Sequence, residues 1–377
     1  MSLTESARKF RSGLKLVFVA AFVYYIVILL VIPTGKKMIA VLFPPKNPPT
    51  VTYGLLDPLT FEPKPINSKT PRYSLNTTDG KLPTGLPNRM YVYKIKDHPF
   101  SFQSGKDAQK DAAFLGFNDS DLASNLKEDI YKWKKLSTGS TLEIDIRTKE
   151  LSLFTDIPRN ENAYPKGILD HNIAEKAVVN LFKAIWRYND SLYPSSYVKI
   201  KFGTIYNGRL VQAKSTRDRQ IAMTDIYRLI NNYPIVGPDP SVGLLHAIVR
   251  NPTKDSTPLN YPIIEAHYWE IDTESNATYP ILTVQEAWKA LQENKAVITH
   301  VREKDYNPFE EYTPLNVDII LINNIYLAYY ETNDKQQYLQ PIYLFEGNFQ
   351  TKGTEGGEIT LYYPAIRGEW IKKVEME

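Results

Sequence analysis

The most constraining feature of the chain is Leu16 to Ile32, LVFVAAFVYYIVILLVI, 17 residues without a charge, Gly or Pro. As a helix it reaches about 25 Å, close to the hydrocarbon thickness of a bilayer. Arg8, Lys9, Arg11 and Lys15 precede it, and Lys36 and Lys37 follow. That bias favours an inside N-terminus and an outside C-terminal bulk. The expectation is an uncleaved signal anchor: a cytoplasmic N-terminus at 1–13 and a single transmembrane helix at 14–33. A cleaved signal peptide is the rival, but Ile32-Pro33-Thr34-Gly35 offers no small-x-small cleavage site. A buried core helix is the third reading.

Composition removes whole classes of function. A net charge of only +3 over 377 residues implies no nucleic-acid-binding field. The chain has no Cys, which excludes disulfides, a thiol nucleophile and thiolate metal sites. Its 26 Tyr suit strands, and its 26 Pro suit loops and sheet edges.

Residues 34–68 are Pro-rich and read as a tether. Pro blocks both helix and central strand, so a semi-rigid spacer is expected. Leu55, Leu56, Leu59 and Phe61 offer a second reading, a segment that packs across a folded body. Beyond it, helical and strand patterns alternate. Helical spacing marks Gly105 to Leu115 and Ile173 to Tyr188, the latter capped by Asp170 or Asn172. Thr283-Val284-Gln285-Glu286 is a capping box before Ala287-Trp288-Lys289-Ala290-Leu291. Strand alternation marks Met90 to Ile95, Leu142 to Ile146, Leu151 to Phe154 and Tyr197 to Phe202. It also marks Arg209 to Ala213, Val317 to Tyr330 and Tyr338 to Gly347. Asn207-Gly208 is a hairpin turn. A helix followed by antiparallel strands thus recurs about three times, at 69–160, 165–280 and 281–363, with a short tail at 364–377. Helices on one face of antiparallel sheets give an α+β class.

The stretch from Thr283 to Leu291, with Val317 to Tyr330 and Tyr338 to Phe345, resembles the closing module of PepSY-like extracytoplasmic proteins. Among them are the membrane-anchored regulators of the cell-wall sensor kinase and the spore-germination proteins of related fold. Tyr227-Arg228-Leu229-Ile230-Asn231-Asn232-Tyr233-Pro234-Ile235 is similar to a stretch that precedes a hairpin in those proteins. The likeness covers residues 170–350, with a weaker echo at 90–157. It implies two or three tandem PepSY-like modules, a helix packed on antiparallel sheet in each. It also implies non-enzymatic modulation of a membrane partner or an extracellular hydrolase, and it brings no catalytic residues.

Chemistry-bearing candidates are few. His98, His171, His246, His267 and His300 form no close metal pair, so surface or satisfied core is their ordinary reading. Asn118-Asp119-Ser120-Asp121 lacks the Gly and spacing of a calcium loop and fits capping. Gly353 to Gly357 precedes a strand rather than a helix and is a hairpin loop. Tyr326, Tyr329, Tyr330, Tyr338 and Tyr343 are dense enough to line a partner-binding groove, or to pack within strands. No catalytic, metal or cofactor site is expected.

The sequence therefore predicts a bacterial, membrane-anchored interaction or regulatory protein of the cell envelope, non-enzymatic, binding another envelope protein. Its C-terminal bulk is expected outside the cell membrane, extracellular or periplasmic. An envelope hydrolase or a peptidase-associated inhibitor or chaperone is the second reading. A structural subunit of an envelope complex is the third.

Overall fold

The computed structural model describes residues 48–68, 70–96, 101–123, 129–156, 164–166, 169–194, 197–251, 260–267, 269–333 and 336–373. Residues Val51–Glu377 form one compact unit. Strands dominate it, with seventeen strands in two sheets and three α-helices among the described residues.

The smaller sheet has eight strands, all antiparallel. In spatial order they are β3 (Ile130–Lys135), β4 (Ser140–Asp145), β5 (Leu151–Thr155), β12 (Ile263–Ala266), β11 (Leu245–Arg250), β8 (Ile221–Ile226), β6 (Val198–Tyr206) and β7 (Arg209–Gln212). Helices α1 (Phe102–Phe114) and α2 (His171–Ala184) cover one face. Ala108 and Ala112 of α1 and Val178, Leu181 and Phe182 of α2 pack with Trp133, Leu142 and Leu153. The 3.6-residue spacing of these apolar side chains is what makes each helix one-sided.

The larger sheet has nine strands. Its centre is an antiparallel meander of β15 (Ile319–Tyr330), β16 (Tyr338–Thr351) and β17 (Thr354–Pro364). β14 (Val297–Glu303) pairs with β17, β2 (Arg89–Ile95) with the start of β16, and β13 (Ile271–Pro280) with β2. β1 (Arg72–Leu75) and β10 (Tyr233–Val236) join β15 in parallel, and β9 (Arg228–Ile230) pairs with β10. Helix α3 (Val284–Gln292) buries Ala287 and Leu291 in this sheet's core. Its capping box forms: Thr283 Oγ1 accepts from the Glu286 amide at 3.2 Å, and Glu286 accepts from the Thr283 amide at 2.7 Å.

Two-residue turns set the hairpin registers. Asn207-Gly208, Asn231-Asn232 and Lys352-Gly353 all have positive φ at both positions. That is the twist that lets antiparallel strands continue without splaying, and Asn and Gly tolerate it best.

The chain passes repeatedly between the sheets. It leaves the smaller one after Ile226 and enters the larger at Arg228, with Tyr227 as the only residue between. It returns through residues 237–244 and leaves again through the segment that holds Trp269. Glu331, fully buried at the end of β15, fastens two of these passages. Arg228 Nη1 donates to Glu331 at 3.2 Å and to the Trp269 carbonyl at 3.0 Å, and the Trp269 amide donates to Glu331 at 3.2 Å.

This architecture corrects the expected α+β arrangement of tandem PepSY-like modules. The protein is mostly β, and its sheets ignore the expected boundaries. The span 69–160 gives β3–β5 to one sheet and β1 and β2 to the other, and 165–280 is divided in the same way. Hydrophobic alternation fixes which face of a strand is buried but not which strand lies beside it. The expected transmembrane helix has no counterpart among the described residues. No helix among the described residues is long and apolar enough to cross a membrane, and the longest, α2, has 14 residues. The segment 14–33, on which the signal-anchor and single-pass reading rested, lies outside the described residues, as do 1–13 and 34–47.

Residues 51–68 lie across the body rather than projecting from it. Leu56 is buried and bridges to Ile371, and the Lys64 amide donates to the Ile298 carbonyl at 2.7 Å. Phe61 sits edge-on to Tyr330 and Tyr362, with ring centroids 4.9 and 5.6 Å away.

Candidate functional site

A cleft of about 740 Å³ opens between the two sheets. One wall is β6, where Lys199 and Lys201 alternate with Ile200 and Phe202. Period-2 alternation sends the lysines to the cleft and the apolar pair toward the helix-covered core. The other wall is the meander, which contributes Asn323, Asn324, Glu346, Asn348 and Glu358. The loop after β14 roofs one end. There Tyr306 accepts a hydrogen bond from Lys201 Nζ at 2.7 Å, and Asn307 donates to the Leu210 carbonyl of β7 at 2.9 Å.

A bulge shapes the meander wall. The β15–β16 register shifts between Ile322 and Asn324, so two residues of β15 oppose one of β16. Asn323 is held by Asn76 at 2.8 Å and by Asn348 at 2.6 Å, and the exposed Asn324 is turned to the cleft. Gly347 lies opposite, and a Cβ there would stand 1.9 Å from the Leu321 carbonyl oxygen.

At the base, His300 is buried between two carboxylates. Its Nδ1 is 3.0 Å from Asp239 Oδ1 and its Nε2 is 3.2 Å from Glu358 Oε1. Ionised carboxylates only accept, so both ring nitrogens donate and the ring is an imidazolium. Burial alone depresses the His300 pKa, but these two hydrogen bonds override it and raise it. Burial also works against an ionised Asp239. Hydrogen bonds from His300 and Ser241 override it and hold that carboxyl well below the usual range. The hydrogen bond from His300 lowers Glu358, and Lys199 and Lys201 assist. Ser241 Oγ donates to Asp239 at 2.7 Å, not to the imidazole. A nucleophile–base–carboxylate relay needs a free ring nitrogen facing the hydroxyl, and this geometry has none.

The five tyrosines, read from the sequence as lining a partner-binding groove or packing within strands, are mostly interior. Tyr329, Tyr330 and Tyr343 are buried, and Tyr326 and Tyr338 are half-buried. Their hydroxyls serve the fold: Tyr329 donates to the Tyr91 carbonyl at 2.9 Å, and Tyr343 donates to the Leu282 carbonyl at 2.7 Å. Tyr326 donates to Glu346 of the cleft wall, and the Tyr338 ring stacks on Tyr53. Among the other histidines, His246 pairs with Asp225 at 2.8 Å, His267 with Glu150 at 3.0 Å and His171 with Glu175 at 3.5 Å. His98 lies outside the described residues. No group of three or more metal-ligating side chains occurs among the described residues.

The buried and half-buried pairs among these, with Glu331, make stability fall as pH rises. For His300, His246 and His267, burial opposes the charge but the partner carboxylates raise the pKa above the ordinary 6.5. Burial pushes the Glu331 carboxyl up from 4.5 to about 7 against the pull of Arg228. A group raised on folding stabilises below its unfolded pKa and loses that contribution as pH climbs through its folded one. Asp239 and Glu358 act oppositely, but only below their unfolded values of 3.8 and 4.5. Scanning calorimetry at constant ionic strength should therefore place the maximum Tm near pH 5–6, and Tm should fall by on the order of 5 °C by pH 8.5. A profile flat or rising over that interval would contradict these protonation states.

No protein-family model matches the chain, and no curated protein matches it. The resemblance to PepSY-like proteins therefore rests on the quoted residues alone. Among solved structures, an uncharacterized protein from Eubacterium rectale ATCC 33656 is similar over 77% of this chain and 87% of its own, at 14% identity and a TM-score of 0.41, too distant to carry an argument.

Proposed function

We propose that this is a non-enzymatic interaction protein that takes its ligand, or a segment of a partner, into the cleft between the two sheets. The observation that carries this reading is His300. Both of its nitrogens are committed to carboxylates, so the one buried imidazole of the cleft has no lone pair for general-base work. Around it, the polar groups that face the opening belong to recognition chemistry: ammonium, carboxylate and amide groups fixed on strands. Rigid strands position such groups with less loss of freedom on binding than loops do.

The test is a panel of short peptides, oligosaccharides and phosphorylated sugars, each assayed for binding and for turnover. Binding without turnover is expected, with amide resonances of β6 and β15–β17 moving on titration. Turnover of a panel member that is lost on His300→Gln would overturn the reading in favour of an enzyme.

A further inference from the structure

Resting on that reading, we propose that the cleft recognises a zwitterion of the short-peptide class, with its carboxylate against Lys199 and Lys201 and its ammonium against Glu346, Glu358 and Asn324. The two walls carry opposite chemistry. On β6, Lys199 Nζ lies over the Tyr227 ring, 4.7 Å from its centroid, and Lys201 meets the Tyr306 hydroxyl. Neither lysine has a carboxylate partner within 4.0 Å among the described residues. Two ammonium groups on one strand face, with no carboxylate in contact with either, favour a carboxylate between them.

The facing wall is an acceptor surface. Glu346 uses Oε1 for the Tyr326 hydroxyl, and Glu358 uses Oε1 for His300. The second oxygen of each carboxylate has no hydrogen-bond partner among the described residues, and neither has the Asn324 amide. His300 and the two lysines favour the ionised form of Glu358. A phosphate or other polyanion would meet repulsion from Glu346 and Glu358. A neutral sugar would bring no counter-charge to the two lysines as they lose water. A ligand with a carboxylate at one end and an ammonium at the other meets both walls. The volume of about 740 Å³ is that of a small-ligand site.

The probes are a pool of tripeptides with free ends, the same pool C-terminally amidated, and the same pool N-acetylated. The protein is the full chain, uniformly labelled for amide NMR. Free-ended peptides should move the amides of β6 and β15–β17, and either cap should weaken binding by about tenfold. In the double variant Lys199→Met/Lys201→Met the free and amidated pools should bind alike, with Tm preserved as the control for folding. Equal binding of capped and free peptides to the wild-type protein would overturn the assignment. So would inorganic phosphate binding more tightly than the free-ended pool. If oligosaccharides or phosphorylated sugars move the cleft amides and tripeptides do not, the ligand class falls and the binding reading stands. If no member of the panel moves them, both fall.

Discussion

Replacing Arg228 by Met is expected to cost on the order of 3–5 kcal/mol of folding stability. Arg228 and Glu331 have no exposed side-chain surface, and Met fills most of the arginine stem's volume while removing the charge. The loss is therefore that of a buried carboxylate deprived of its cation, which is far larger than the net worth of the pair. The effect reaches beyond one ion pair because of where it lies. Arg228 begins the strand entered on leaving the smaller sheet, and Trp269 lies on a second such passage, bonded to the same carboxylate. The cost should also depend on pH with a definite sign. Glu331 is already pushed up to about 7, and removing Arg228 raises it further. The variant is then penalised more at pH 8 than at pH 5.5, by up to about 1.4 kcal/mol, because pH 8 lies one unit above the wild-type value of about 7. Glu331→Gln, which mimics the neutral acid, should be milder than Arg228→Met. Urea unfolding of both variants at the two pH values measures this. An equal loss for Arg228→Met at pH 5.5 and pH 8 would show that Arg228 does not neutralise Glu331.

Those passages between sheets also show what the sequence could and could not reveal. Signals that act within a few residues were readable. The capping box at Thr283 to Glu286 closes α3, and Asn207-Gly208 turns β6 into β7. Asp170 caps α2 through its side chain. Sheet membership was not readable, because β8 and β9 are separated only by Tyr227 yet pair with different sheets. Both strands are buried along nearly their whole length, and burial is the same whichever sheet covers them. The tyrosines left two readings open, a groove or strand packing, for a related reason. β15 and β16 are interior strands, so most of these rings are buried, and the hydroxyls of Tyr326, Tyr329 and Tyr343 find a nearby carbonyl or carboxylate. The cleft had no local signature at all. Lys199 and Lys201 were visible as alternate residues of a strand, but Glu346 and Glu358 come to face them only through the fold. His300 carried no motif, and its two carboxylate partners come from separate elements.

Gly347→Ala tests the bulge on which the cleft wall depends, and its expected cost is about 3 kcal/mol or more. The reason is contact, not backbone conformation. A Cβ at position 347 would lie 1.9 Å from the Leu321 carbonyl oxygen and 2.9 Å from the Ile322 Cα, and both are backbone atoms of the neighbouring strand. A flexible side chain could swing away, but a paired strand can yield only by opening its ladder. Gly347 pairs with Ile322 immediately before the register shift that presents Asn324 to the cleft. Relief of the clash therefore moves Asn323, Asn324 and Glu346 together, and ligand binding should fall with stability. The neighbouring Asn348→Ala separates the two effects. It removes the 2.6 Å hydrogen bond from Asn323 without crowding the backbone, so about 1 kcal/mol is expected. If Gly347→Ala unfolds no more easily than Asn348→Ala, the close approach of β15 and β16 is not the constraint that holds the bulge. If Gly347→Ala is destabilised but still binds the wild-type cleft ligand with unchanged affinity, Asn324 and Glu346 do not form its binding wall.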